Sequence, residues 1–475
     1  MKMFRALPRP TKALRPRSPA DPHPSRRGPI LAFLSVLQLL IAVDVTVVTI
    51  ALPSIGTDFG AGAGALTWVV TGYTVVGGGL LLMGGRICDL VGRRRMFLAG
   101  AALFGAASLL AGLAPSLPVL VAARFAQGAG EALASPAAMS LIALLFPETR
   151  ARARALGVWA AISSGGLVAG VLLSGVLTEL AHWRWIFLVN PPLVLAVVIA
   201  CPLLIRPDPP RARPDIDPRG PILLTVAPVA LILGIVRAGE LPWAEVTVWG
   251  PVLLGLLAFG VFAALESRTT RPLVPRGVLR DRIRLTANLA TALLSAALSA
   301  TFFLSTLYLQ DVLRLPPLQA GLAFLPFCVV LLLAISQVAR LVDRLGVRWT
   351  AVLGIGCTAA GTAWLSRLPA EGTLWADLMP GMLAVAAGMG VGLVALQNAA
   401  LHGVTETDAG VAAGVQRCVD QLGGATGLAV FVGAAFTAAA GGEVEGYRAA
   451  FRLALAGLVV AGVGFGLLAR PRATG

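Results

Sequence analysis

The chain has 475 residues, 57% of them hydrophobic and 13% charged, a balance outside the range of soluble globular domains and inside that of polytopic membrane proteins. A net charge of +15 on one face of a soluble domain would point to nucleic acid. Here the basic residues sit in the links between apolar runs, where they orient a chain in a membrane, so the expected partner is the lipid bilayer and not nucleic acid.

Residues 1–29 are basic and Pro-rich with no small-residue cleavage signature after the first apolar run, and read as a cytosolic tail rather than a signal peptide. A helix crossing the hydrocarbon core needs about 20 apolar residues. Fourteen segments meet that need: 30–52, 66–86, 96–114, 118–145, 154–178, 185–205, 220–238, 246–266, 285–309, 318–340, 349–366, 377–401, 409–438 and 450–469. Basic residues test the count, because one missed helix would invert every later link. Of the 38 Lys and Arg, 30 fall in the tails and links that this scheme places inside; Arg124 and Arg417 fall within the membrane. Both termini are therefore expected in the cytoplasm of a multi-pass protein of the cell membrane. The link after the twelfth span is the weakest point, because Glu406 and Asp408 make it acidic.

The link Gly85-Arg-Ile-Cys-Asp-Leu-Val-Gly-Arg-Arg-Arg95, between the second and third spans, is expected as a tight loop in the headgroup region, held inside by its arginines. The link after the tenth span echoes its D-x-x-G-x-R core at Asp343, Gly346 and Arg348. The echo divides the chain into a six-helix bundle over residues 30–206, two inserted helices over 207–268, and a second six-helix bundle over 269–475. Two parallel halves of this kind enclose a site near the bilayer midplane. The seventh and eighth spans carry no charge over 221–236 and 246–265 and are expected to face lipid rather than the pathway. The five cysteines, Cys88, Cys201, Cys328, Cys357 and Cys418, lack metal-ligand spacing and read as packed free thiols.

Gly85, Asp89, Gly92, Arg93 and Arg94 match the pattern G-x-x-x-D-x-x-G-R-[RK] of major facilitator superfamily transporters, which this link resembles. Further stretches resemble the fourteen-helix drug:proton antiporters of that superfamily. These are Ala42-Val-Asp-Val-Thr-Val-Val-Thr-Ile-Ala-Leu-Pro-Ser54 in the first span, Arg124-Phe-Ala-Gln-Gly-Ala-Gly130 in the fourth, Ser174 to Pro192 in the link into the sixth, and Tyr308 to Pro326. The resemblance covers nearly the whole chain from about residue 30. It implies an all-α major facilitator fold, with the first and fourth spans adjacent. In the fifth span, Gly165 to Gly175 is similar to the antiporter pattern G-x-x-x-G-P-x-x-G-G, but Val171 stands in place of the Pro and Ser174 in place of one Gly.

An ionisable side chain near the bilayer centre costs ~2.5–3.5 kcal/mol even on the lenient insertion scale, so each needs a partner or a function. Asp44 and Arg124 lie ~13 and ~9 Å below the same surface at 1.5 Å per residue, close enough in depth to face each other. Arg124, Gln127 and Glu131 are spaced i, i+3, i+7 and line one face of the fourth span. Desolvation favours a neutral carboxyl and a nearby guanidinium a charged one. A motion that changes either influence loads a proton on one side and releases it on the other, and Asp44 or Glu131, tuned by Arg124, can serve; the plainer reading is a static ion pair. In the thirteenth span Arg417 and Asp420 are i, i+3 and can pair. Where Asp420 stands the family pattern has Arg, and it has no charge at Arg417. Gln397 and Asn398 in the twelfth span either line the cavity or bond between helices. Asp89 and Arg93, flanked by Gly85 and Gly92, can pair in one transport state and part in the other.

No phosphate-binding loop, metal-ligating cluster or nucleophile elbow occurs in a plausible context, so the chain reads as no enzyme, with no cofactor and no metal. The expected function is a proton-coupled secondary transporter, acting as a monomer, that exports hydrophobic or cationic small molecules by alternating access. A dedicated exporter of one metabolite, or a proton symporter or uniporter of the same fold, is the alternative that Val171 keeps open.

Overall fold

The computed structural model describes residues 27–146, 148–205, 219–238, 245–269, 281–402, 409–438 and 442–468, with residues 241 and 404 between them. The acidic pair Glu406 and Asp408 lies outside the described residues. The first-half helices are α1 (Arg27–Phe59), α2 (Ala63–Val91), α3 (Arg93–Gly112), α4 (Leu117–Leu145), α5 (Thr149–Leu180), the single turn α6 (Trp185–Leu188) and α7 (Asn190–Leu204). Next come α8 (Arg219–Ala238) and α9 (Val246–Arg268). The rest are α10 (Arg282–Leu307), continued by a π-helical turn over Tyr308–Val312, α11 (Pro317–Ala323), α12 (Leu325–Leu365), α13 (Met379–Ala400), α14 (Ala409–Ala438) and α15 (Glu443–Leu468). Helix is the form these runs take because a chain in hydrocarbon must satisfy every backbone N–H and C=O within itself.

Among the described residues twelve segments are long and apolar enough to cross a membrane. One of them, Pro317–Leu365, holds α11 and α12, and α12 is itself two helices joined at Gly346; Ile222–Ala238 of α8 is a shorter apolar run. The expected fourteen crossings are thus matched approximately, with α8 the short one.

The packing pattern repeats. In the first half α1 packs on α5, α2 and α3 on α4, and α3 on α7; in the second α10 packs on α14, α12 on α13, and α12 on α15. The two echoed links share their backbone geometry as well. Gly92 turns at φ 101°, ψ 136°, and Gly346 at φ 75°, ψ 161°, a region that side chains other than hydrogen rarely enter. The link between α2 and α3 is shorter than expected. Helix α2 runs on to Val91 and α3 begins at Arg93, so Gly92 alone makes the turn, its N–H donating to Cys88 O at 3.2 Å. A helix that leaves the hydrocarbon has no reason to unwind in the headgroups, where charged side chains are solvated.

Helices α8 and α9 differ in their surroundings. α9 turns Trp249, Leu253, Leu254, Leu256, Leu257 and Val261 outward, as expected of a lipid-facing helix. α8 does not follow that expectation. It packs against both α2 and α14, where Ile232 and Val236 join Val75, Ala425 and Ala429 in a buried cluster. A uniformly apolar helix reads the same in sequence whether protein or lipid covers it.

All five cysteines are free thiols, four buried and Cys357 half-buried.

Candidate functional site

Two polar clusters occupy the interior, and both start on α4. Its residues Arg124, Gln127 and Glu131 are all buried.

In the first cluster the Arg124 guanidinium forms an ion pair with Asp44 of α1 through Nη1. The same side chain donates from Nε to Val69 O of α2 at 2.8 Å and from Nη1 to Gln127 Oε1 at 2.9 Å. It also lies over the Tyr73 ring, 4.4 Å from its centroid. Gln127 Nε2 donates to Asp44 Oδ1 at 3.1 Å and to Ser108 Oγ of α3 at 2.8 Å, and Asn190 Nδ2 of α7 reaches Asp44 Oδ1 at 3.5 Å. Every partner comes from the first half. A buried ion pair is tolerated only when its remaining donors and acceptors are met, and here they are.

The second cluster crosses between the halves. Gln421 Nε2 of α14 donates to Glu131 Oε1 at 3.1 Å, and Arg417 Nη2 stands 4.0 Å from the same oxygen. Arg417 also pairs with Asp420 at 3.1 Å, as their spacing predicts, and Ser295 of α10 donates to Asp420. Glu131 is 3% exposed, yet Arg417 is 52% exposed although it lies ~12 Å along α14 from Ala409. A half-exposed guanidinium at that depth marks an internal opening. Glu131 Oε2 and Gln421 Oε1 make no hydrogen bond among the described residues, and the Tyr73 hydroxyl beside Glu131 makes none either. Both stand where a Cβ on Gly77 of α2 would lie, at 3.2 and 3.1 Å. The run Gly77-Gly78-Gly79 lets three elements close on α2: Glu131 and Gln421 meet Gly77, Gln421 meets Gly78, and Thr225 of α8 meets Gly79.

The structure therefore brings together Asp44, Arg124 and Gln127, and separately Glu131, Arg417 and Asp420. Gln397 and Asn398 are exposed on α13 and join neither cluster. Gly92 makes the α2–α3 turn and Arg93 is half-buried beside it, while the Asp89 side chain lies outside the described residues. Sequence reasoning does not single out Gln421, Tyr73, Ser295, Ser108 or Asn190. The triple glycine of α2 is the one available signal, since such a run marks close approach by another chain segment.

The halves also meet beyond these clusters, toward the face opposite the α2–α3 link. Gln310 Nε2 donates to Ile50 O of α1 at 2.9 Å, and Leu318 N of α11 to Glu179 Oε2 of α5 at 2.9 Å. Here Val171 is fully buried, and the small residues of α5 seat it against α1 at Gly170 and against α11 at Gly175.

A family model described as Major Facilitator Superfamily matches residues 34–428. The chain belongs to the Major Facilitator Superfamily. Among its relatives in the superfamily are the lincomycin resistance protein of Streptomyces lincolnensis, 51% identical over 95% of this chain and 93% of that protein. The puromycin resistance protein pur8 of Streptomyces alboniger is 36% identical, with 93% and 91% covered, and the cephamycin export protein CmcT of Amycolatopsis lactamdurans 35%, with 87% and 86% covered. A bacterial homologue of the lysosomal transporter Spinster, in an inward-facing and unoccupied conformation, has a similar fold, with a TM-score of 0.67 at 16% identity over 94% of this chain and 98% of that one. A major facilitator chain is a membrane transporter and takes a small-molecule substrate.

Proposed function

We propose that this transporter exports antibiotic-like small molecules, hydrophobic or cationic, in exchange for protons by alternating access. The export reading is supported by relatives whose names join them to lincomycin, puromycin and cephamycin, and lincomycin is the first substrate to try. Proton coupling rests on the chemistry of the second cluster. Glu131 is the coupling carboxylate in this reading, because its partners Gln421 and Arg417 belong to the other half and must change when the halves rock. A proton on Glu131 can be donated to Gln421 Oε1, which makes no hydrogen bond among the described residues. Loss of that proton leaves a carboxylate that Arg417 or a cationic substrate can balance. Asp44 and Arg124, saturated inside one half, hold α1 against α4 and set the field that Glu131 experiences.

In the same reading the α2–α3 link lies in the cytoplasm with both termini, residues 30–206 and 269–475 are the moving halves, and one chain suffices. Gly85, Asp89, Gly92 and Arg93 serve as a state-dependent hinge, and Gln397 and Asn398 as polar residues toward the inner end.

The deciding experiment loads proteoliposomes with lincomycin or a lipophilic cation and imposes an inward or an outward proton gradient. Antiport requires transport driven opposite to the proton gradient in wild type and loss of that drive in Glu131→Gln with passive exchange retained. Transport along the proton gradient, or indifferent to it, would instead favour the symport or uniport reading that the buried Val171 motivates.

A further inference from the structure

We infer that the chain carries a second binding site, for an amphipathic organic cation, in the vestibule on the face opposite the α2–α3 link. This cavity goes beyond the coupling cluster and does not depend on proton exchange. It has a volume of about 660 Å³, within the range that holds a drug-sized molecule. Its walls come from both halves: the ends of α1 and α2 on one side, and α10, α14 and α15 on the other. On α14 it reaches Val432, eleven residues past Gln421, or ~16 Å along the helix from the Glu131 contact.

The lining is amphipathic in a particular sense. Leu66, Phe303, Leu304, Leu307 and Val432 make an apolar wall. Asp311 and Glu443 are its charged residues, and neither forms an ion pair or accepts a hydrogen bond among the described residues. The cation that influences Asp311 is Arg314, which is not part of the wall. Tyr447, 8% exposed, also lines the cavity, and its hydroxyl has no hydrogen-bond partner among the described residues. Asp311 sits in the π-helical turn that continues α10. Such turns cost helix regularity and occur often at functional sites, where they turn a side chain off the helix's normal face. Two carboxylates that form no ion pair among the described residues, beside a hydroxyl with no partner there and a wall of aromatic and aliphatic carbon, call for a ligand that brings positive charge on an apolar body. A protonated amine or quaternary ammonium of drug size has that chemistry. A small inorganic cation would leave the apolar wall unused.

Equilibrium dialysis of labelled tetraphenylphosphonium against purified, detergent-solubilised full-length protein tests the site. Wild type is expected to bind two cations, the Asp311→Asn/Glu443→Gln double variant one, and Glu131→Gln one. A complementary experiment does not depend on removing the carboxylates. Thr57, which is exposed in the vestibule, is replaced by cysteine and the new thiol labelled with a membrane-impermeant cationic thiosulfonate; tetraphenylphosphonium should slow labelling at least tenfold. The inference is overturned if the double variant binds as many cations as wild type, or if the cation leaves the labelling of Thr57→Cys unchanged. Failure of the antiport reading shows itself separately, as transport that runs along the proton gradient or is indifferent to it whatever the vestibule binds.

Discussion

Glu131 of α4 accepts its hydrogen bond from Gln421, a residue 290 positions later on α14, and the contact lies where both helices press on the glycines of α2. A rocking motion of the halves would break this contact, since its two partners lie on different halves. Replacing Gln421 by Glu sets two carboxyls against each other, and like charges at that distance require one to hold a proton. Gln421→Glu is therefore expected to keep the cluster closed at low pH and to open it as pH rises. Its transport optimum should fall below that of wild type by a pH unit or more, as measured by initial rates across pH in proteoliposomes.

Asp44→Ala leaves Arg124 buried without its counter-ion. Breaking a buried pair by removing one partner costs ~3–5 kcal/mol. The variant should melt well below wild type in detergent and accumulate poorly in membranes. Asp44→Asn, which retains an acceptor oxygen, should lose less, and size-exclusion stability assays on the two variants separate the outcomes.

The glycines differ in what surrounds them. A Cβ on Gly84 would run into the Ala132 carbonyl of α4, so Gly84→Ala should force α2 and α4 apart and abolish stable expression. A Cβ on Gly157 of α5 would meet nothing within 4 Å, and Gly157→Ala should be neutral or slightly stabilising. Thermal melts of the purified pair provide the comparison.

Gly92 and Gly346 each hold a backbone conformation that costs another residue about 1–3 kcal/mol. Ala at either position should destabilise by that amount, and the double variant should add the two costs, since the sites lie in different halves. If the links also act as hinges, turnover falls further than stability explains, which rates measured at matched folded fraction would reveal.

Much of this is legible in the chain. The alternation of apolar runs with arginine-rich links places the crossings, and counting residues from helix ends puts Asp44 and Arg124 at a common depth, where they pair. The Arg417–Asp420 pair follows from helical spacing alone. What escapes detection depends on how distant helices meet. No local pattern pairs Glu131 with Gln421, because their contact is set by the docking of two bundles. The burial of α8 escapes for a related reason: lipid tails and packed leucines impose the same hydropathy on a helix. The segment from Gly85 to Asp89 reads as loop because charge implies exposure, yet exposure in headgroups is compatible with helix.

The placement of α8 makes the two sides of the transporter unequal. Where α2 meets α14, the joint between the halves is backed by an extra helix whose Ile232 and Val236 are sealed against both. Where α5 meets α11, the joint turns Leu173, Val176, Leu180 and Leu322 straight to the surroundings. A molecule dissolved in the bilayer thus meets an extra helix over one joint and bare apolar side chains at the other.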